Sequence, residues 1–343
     1  MINIIYLLPY EKGTAGGITT SLNQSININK YLKNTKSEVI FIKKRKISKF
    51  KESLKKKLFS TTLKKGWSTN DIEPVIDKKY QNIKNIIIKK DFNFNKNSDF
   101  IILPEIFAHF ASEILLKKKI KYGIFVQNGN AINFTSNLKS LDICYKKAKN
   151  IFTISNTVNE IVKISFPFCK TKIFKLNQSV NTNKFYPSKK KQNLITYMPR
   201  KLSHHADFLI YLLRKKITKN WKIKPLINLD QNKIASNLSK SKIFLSFSHM
   251  EGFGLPPLEA AIAGNKVIGY DGISGKEYWK KPIFTKIEYG DFKKFVKEIL
   301  VNINKSSNTK KFNIIRKKLS KKYSHINDKK EIKRLNKRIN SFF

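Results

Sequence analysis

Residues 243–279 read IFLSFSHMEGFGLPPLEAAIAGNKVIGYDGISGKEYW, and six of the chain's 13 glycines fall in this stretch. The apolar run that opens it predicts a buried strand ending near Ser246. A loop follows that exposes successive backbone N–H groups at Gly252, Phe253 and Gly254. Pro256 and Pro257 suit the first positions of a helix, where an N–H would have no intrahelical partner. The helix continues to Ala263, and Gly264 is a good stop. Strand, glycine loop and helix N-terminus in that order make an anion-attracting corner. Glu251 and Glu259 flank it. Carboxylates are poor phosphate ligands and good acceptors for sugar hydroxyls. A ligand with both phosphate and sugar, a nucleotide sugar, suits both halves of the corner.

The same alternation extends outward. Strands are expected at residues 2–8, 38–42, 99–103, 123–126 and 151–154, then at 193–197, 242–246 and 266–270. The residues between them have helical character, which argues for parallel α/β layering. A glycine-rich loop at 11–17 (EKGTAGG) opens a helix over 18–32. Ser203 is the expected N-cap of the helix after strand 193–197. Residues 176–193 are polar, lysine-rich and broken by Pro187, as a linker is. The expected organisation is an N-terminal Rossmann-like domain over 1–180, a second over 181–310, and basic C-terminal helices over 311–343.

The chain has 343 residues and a formal charge of +47. A hydrophobic fraction of 41% excludes wholesale disorder. The charge admits three readings: nucleic acid, anionic membrane, or coding bias, since Asn and Ile are abundant along with Lys. No RRM, KH or zinc signature supports specific nucleic-acid binding. Cys144 and Cys169 form neither a CxxC nor a zinc pattern. No run of about 18 apolar residues predicts a membrane span. The N-terminus reads as a first strand, and a cytoplasmic location is expected, peripheral on the inner face of the membrane if residues 43–65 engage it. That segment carries eleven Lys/Arg against Glu52, with Ile47, Phe50, Leu54 and Leu58 at helical spacing. It reads either as a basic amphipathic helix for an anionic bilayer or as an ordinary surface helix. Residues 310–343 are also basic, and their apolar stripes predict helices packed on the body. Against this background residues 243–279 carry a net −2, so whatever enriches lysine has spared them.

EGFGLPPLE, residues 251–259, resembles the E-x7-E signature of the GT-B glycosyltransferases called family 4, or group 1. EAAIAGNKVIGYDGISGKEYW resembles that family's following helix, strand and donor-side loop. LNQSVNTNKFYP, from residue 176, is similar to its interdomain stretch, and Gly16–Gly17 to its N-terminal glycine loop. The resemblance implies a GT-B fold, two Rossmann-like domains facing a cleft. It implies retaining transfer without a metal or other cofactor, from a nucleotide-diphosphate sugar to a glycan or lipid-linked acceptor. Glu251 would contact donor-sugar hydroxyls and Glu259 the ribose. Gly252, Phe253 and Gly254 would offer backbone N–H groups to sugar and diphosphate, with Leu255 and Pro256 shaping the floor. Arg200 and Lys201 would neutralise the leaving diphosphate; the bland alternative for Arg200 is a solvated loop cation. The histidine found in many members after an N-domain strand is replaced here by Gln127 and Asn128. Glu105, His109 and His249 are further cleft candidates. Two other readings stay open: a nucleotide-sugar epimerase on the same fold, and a non-enzymatic polyanion binder.

Overall fold

A computed structural model describes residues 1–9, 16–44, 67–69, 86–134, 138–303 and 309–343. The amphipathic segment expected over 43–65 therefore lies outside the described residues, apart from its first two. The chain forms two compact units. The first comprises Met1–Thr153, Asn159–Leu176 and Asp328–Phe343; the second comprises Ile154–Val158 and Asn177–Asn327.

The first unit is built on β1 (Ile2–Pro9), α1 (Gly16–Tyr31), β2 (Thr35–Lys44), β3 (Trp67–Thr69), β4 (Asp99–Pro104), β5 (Lys121–Val126), α2 (Leu141–Lys147), β6 (Asn150–Thr153), α3 (Asn156–Ser165) and β7 (Ile173–Lys175). Its sheet runs β3-β2-β1-β4-β5-β6-β7. All neighbours pair in parallel except β2 with the short β3. Residues 4–8 of β1 and all of β4 are buried. These central strands are buried on both faces, which is why they read as continuous apolar runs without alternation.

The second unit contains β8 (Gln192–Tyr197), α4 (Ser203–Leu213), β9 (Lys222–Pro225), α5 (Gln231–Lys240), β10 (Ser241–Glu251), α6 (Leu255–Ile262), β11 (Lys266–Ile273), β12 (Phe284–Lys286), α7 (Phe292–Ile303) and α8 (Lys310–Lys322). Its five strands, ordered β12-β11-β10-β8-β9, are all parallel. One face packs Leu209 and Leu213 of α4 and Phe295 and Ile299 of α7 on Ile195, Leu245 and Ile268. Ser203 does not cap α4: the helix begins at Ser203, and Leu202 occupies the cap position with no side-chain bond. Thr309 does cap α8, accepting from the Phe312 N–H.

The last helix, α9 (Asp328–Asn340), belongs to the first unit. It buries Ile332, Leu335 and Ile339. It packs along α1, and its polar contacts reach the amino ends of the strands. Thr35 Oγ1 donates to Asn336 Oδ1 at 2.9 Å, and Arg338 Nε donates to Asn150 Oδ1 at 2.8 Å. Beyond the helix Phe342 stacks on Phe100 at 5.7 Å, and Lys121 Nζ sits 3.7 Å from the centre of the Phe343 ring. Among the described residues no helix is long and apolar enough to cross a membrane.

Candidate functional site

In parallel sheets, ligands bind beyond the carboxyl ends of the strands. The second unit places its chemistry there. Arg200 and Lys201 follow β8, both exposed. Glu251 ends β10, and its Oε1 lies 3.7 Å from Lys201 Nζ. The β10–β11 register shifts between Ser248 and Glu251, and Met250 inside that bulge has φ +47°. The bulge therefore re-aims the strand end that carries Glu251.

Gly252, Phe253 and Gly254 are buried between Glu251 and α6. Gly254 caps α6 in the left-handed region, φ +82°. Its carbonyl accepts from the Tyr278 hydroxyl, and a Cβ there would come within 3.0 Å of that oxygen. The Phe253 ring points into the core, against Tyr278 and Tyr323 at 5.5 and 5.8 Å. Only the backbone of Phe253 is thus on offer to a ligand. Leu255 and Pro256 are half-buried in the first turn of α6, and Glu259 is half-buried one turn on.

The carboxyl end of α6 is held by residues that sequence reasoning passed over. Lys191 Nζ donates to the carbonyls of Ala263, Ser241 and Leu238 at 2.5, 2.8 and 3.3 Å. A cation there complements the negative helix ends of α5 and α6. Burial, aided by Arg316, pulls the amine down to about 7. Asn265 adds bonds from Nδ2 to the Leu238 and Ala260 carbonyls at 2.7 and 2.9 Å. The glutamate-bearing helix is thereby fixed to the sheet from below.

His249 also sits at the end of β10, with its ring 5.6 Å from that of Tyr289. Tyr289 in turn packs on His205 at 4.5 Å, and His205 Nδ1 bonds Tyr270 Oη at 2.9 Å. Burial first, then His204 and His249, hold the His205 imidazole below its ordinary range. No sequence motif singled out His205; it emerges because α4 packs against Tyr270 of β11 and Phe292 of α7.

In the first unit the loops after β4 and β5 meet the start of α1. Glu105, just past β4, is buried, and its two oxygens accept the N–H groups of Gln127 and Asn128 at 3.2 and 2.9 Å. Gln127 Nε2 then donates to the Gly17 carbonyl and Ser21 Oγ at 3.0 and 3.1 Å. Gly16 is exposed at the first residue of α1, and a Cβ there would meet nothing within 4 Å. Residues 10–15 of the glycine loop are outside the described residues. Asn128 Oδ1 accepts from the Asn130 N–H at 3.1 Å, which shapes the turn. His109 is buried, edge-on to Phe107 at 6.4 Å, between two short helical turns.

Burial pushes the Glu105 carboxyl up to about 7, although the Gln127 and Asn128 N–H groups pull the other way. Its folded pKa thus lies above its unfolded one. Protonation favours folding, and that contribution is lost as pH rises from about 4.5 through 7. In unfolding experiments the first unit should therefore lose up to a few kcal/mol from this group between about pH 5 and pH 8. Glu105→Gln should flatten that slope. An identical pH profile for wild type and variant would show that Glu105 does not titrate in this range. Among the described residues no three His, Cys, Asp or Glu side chains group as metal ligands would.

No protein-family model matches the chain. A 56-residue stretch is 39% identical to a provisionally assigned glycosyltransferase, ORF330, of Acidianus filamentous virus 2. That match covers 16% of this chain and only 17% of the viral protein's length. Structural likeness is far broader. The sucrose-phosphate synthase of Thermosynechococcus elongatus matches with a TM-score of 0.64 at 9% identity, covering 100% of both chains. The lipopolysaccharide outer core galactosyltransferase WaaB gives 0.62 at 15% identity, again over 100% of both. A glycosyltransferase of Rickettsia africae gives 0.61 at 14% identity, over 98% of this chain and 97% of its own. These neighbours are GT-B glycosyltransferases, and the chain shares their fold.

Proposed function

We propose that the protein is a nucleotide-sugar glycosyltransferase of the E-x7-E type. The observation that carries this reading is the second unit's corner. Glu251 ends β10, a left-handed Gly254 opens α6, and Glu259 stands one turn into that helix. Loop amides and the helix N-terminus attract diphosphate, while the two carboxylates accept from sugar and ribose hydroxyls. Arg200 and Lys201, beyond β8, would neutralise charge that grows on the departing nucleotide, the task a divalent ion performs elsewhere. In the resting site Lys201 is engaged by Glu251. Donor binding would exchange that ion pair for contacts to the diphosphate and the sugar.

The transfer would retain anomeric configuration, need no metal, and move a hexose to a glycan or lipid-linked acceptor in cell-envelope or polysaccharide synthesis. In the first unit Gly16 and Gly17 would approach the ligands through their backbone. The Glu105–Gln127–Asn128 set would hold the nearby loop in place. The glycosyltransferase fold and the short viral match support the reading at the level of reaction class.

The test is a panel of nucleotide sugars, read by nucleotide release with and without EDTA and by thermal shift with each nucleoside diphosphate. Glu251→Ala is expected to slow release about a hundredfold, the scale of one lost transition-state contact. Glu259→Ala should mainly weaken donor binding. If no donor responds and both variants behave as wild type, the proposal fails. A new sugar isomer formed without acceptor would replace it with an epimerase.

A further inference from the structure

Two strongly exposed apolar side chains of the first unit lie close together in sequence. Ile164, at the end of α3, is 78% exposed, and Phe168, four residues on, is 92% exposed. Met1 and Phe134 of this unit are exposed to a similar degree, but Ile164 and Phe168 share one turn. The turn that carries them is held rigidly. Phe166, between them, is buried and stacks on Tyr145 of α2 with ring centres 3.8 Å apart. Thr171 Oγ1 donates to the carbonyls of Tyr145 and Lys146 at 2.9 and 3.3 Å. The segment is therefore pinned on both sides of Phe168, and that ring projects from a fixed base.

The charges around it are mostly positive. Lys163, Lys170 and Lys172 flank the two apolar residues in sequence, and the one acid nearby is Glu160, exposed one helical turn before Ile164. The Thr171 bonds bring the carboxyl end of α2 alongside, with Lys146 and Lys147 exposed there.

We propose that this turn docks the first unit on an anionic lipid bilayer. Phe168 and Ile164 would enter the interface between headgroups and acyl chains, and the five ammonium groups would meet lipid phosphates around them. Each half of that arrangement is weak alone and sufficient together. A protein partner fits less well. A stable protein interface needs about 800 Å² from each side with an apolar centre. Two protruding side chains flanked by solvated lysines do not supply that, whereas a fluid bilayer closes around them. The site uses none of residues 43–65 and is independent of whether the chain transfers sugar.

The test must discount the general attraction of a +47 chain to anionic surfaces. Binding to phosphatidylglycerol–phosphatidylcholine vesicles is measured for wild type, for Ile164→Asp/Phe168→Asp, and for a control pair, Tyr211→Asp/Ile326→Asp. The control residues are exposed and in the second unit, and both variants change the net charge equally. The turn variant is expected to bind about tenfold more weakly or worse, and the control to match wild type. In a parallel experiment Phe168→Trp should show a blue-shifted emission with anionic vesicles and none with pure phosphatidylcholine. Equal binding by the two Asp pairs overturns the proposal, whether charge alone carries adsorption or the turn serves a protein. So does an unshifted Trp emission with saturating anionic lipid.

Discussion

Deleting residues 328–343 should unfold the first unit while the second keeps a cooperative transition of its own. The deletion removes the buried Ile332, Leu335 and Ile339 and the stack of Phe342 on Phe100. At about 1.5–3 kcal/mol for each buried side chain, the loss is about 6 kcal/mol or more. That is comparable with the whole stability of a typical domain, roughly 5–15 kcal/mol. The bonds from Thr35 and Arg338 go too, leaving Asn150, fully buried at the start of β6, without its guanidinium partner. Urea titration followed by far-UV circular dichroism would show the result. Roughly half the native signal should be lost before denaturant is added, with one transition left. Two intact transitions in the truncated chain would mean that α9 is dispensable.

Gly269→Ala should destabilise the second unit by about 3 kcal/mol or more. Gly269 lies in β11 with φ +136°, a region that side chains rarely occupy. A Cβ there would stand 2.2 Å from the Ser246 carbonyl oxygen and 2.9 Å from the Phe295 ring. Neither can withdraw. Ser246 is in the neighbouring strand, with its side chain bonded to the Tyr270 carbonyl at 2.7 Å, and Phe295 is fully buried. Strain and overpacking therefore add. Gly16→Ala is the control, since nothing lies within 4 Å of that position. Thermal unfolding should place the Gly269 variant far below wild type and the Gly16 variant level with it or slightly above. A Gly269→Ala protein that melts with wild type would show that β10 and β11 can part at that point.

Central strands such as β1, β4 and β10 were readable in the sequence because burial on both faces demands an unbroken apolar run. The edge strands β7, β9 and β12 carry no such mark. Their sequences, IFK, KIKP and FTK, are short and mixed with lysine, and they become strands only by pairing with a neighbour already in place. The corner at 251–259 was legible because its chemistry is contiguous: the two acids, the glycines and the prolines lie within one loop and helix start. Lys191 was hidden for the opposite reason. Among the lysines of the 176–193 stretch nothing distinguishes it, and its importance arises only when β8 brings its amine to three carbonyls 47 to 72 residues away in sequence. Glu105 could be picked out as an acid past a strand end. Its partners are backbone N–H groups 22 and 23 residues on, which no side-chain pattern announces.

The order of synthesis gives α9 a further consequence. The strands of the first unit leave the ribosome early, yet the helix at their amino ends is made only after the second unit. Between the two come residues 177–327, the bulk of the second unit. At cellular elongation rates that interval is on the order of ten seconds. Throughout it Phe100 and its surroundings lie open to solvent. The nascent first unit is thus a natural client for chaperones that recognise uncovered apolar surface, and a premature stop anywhere before residue 328 leaves it in that state for good.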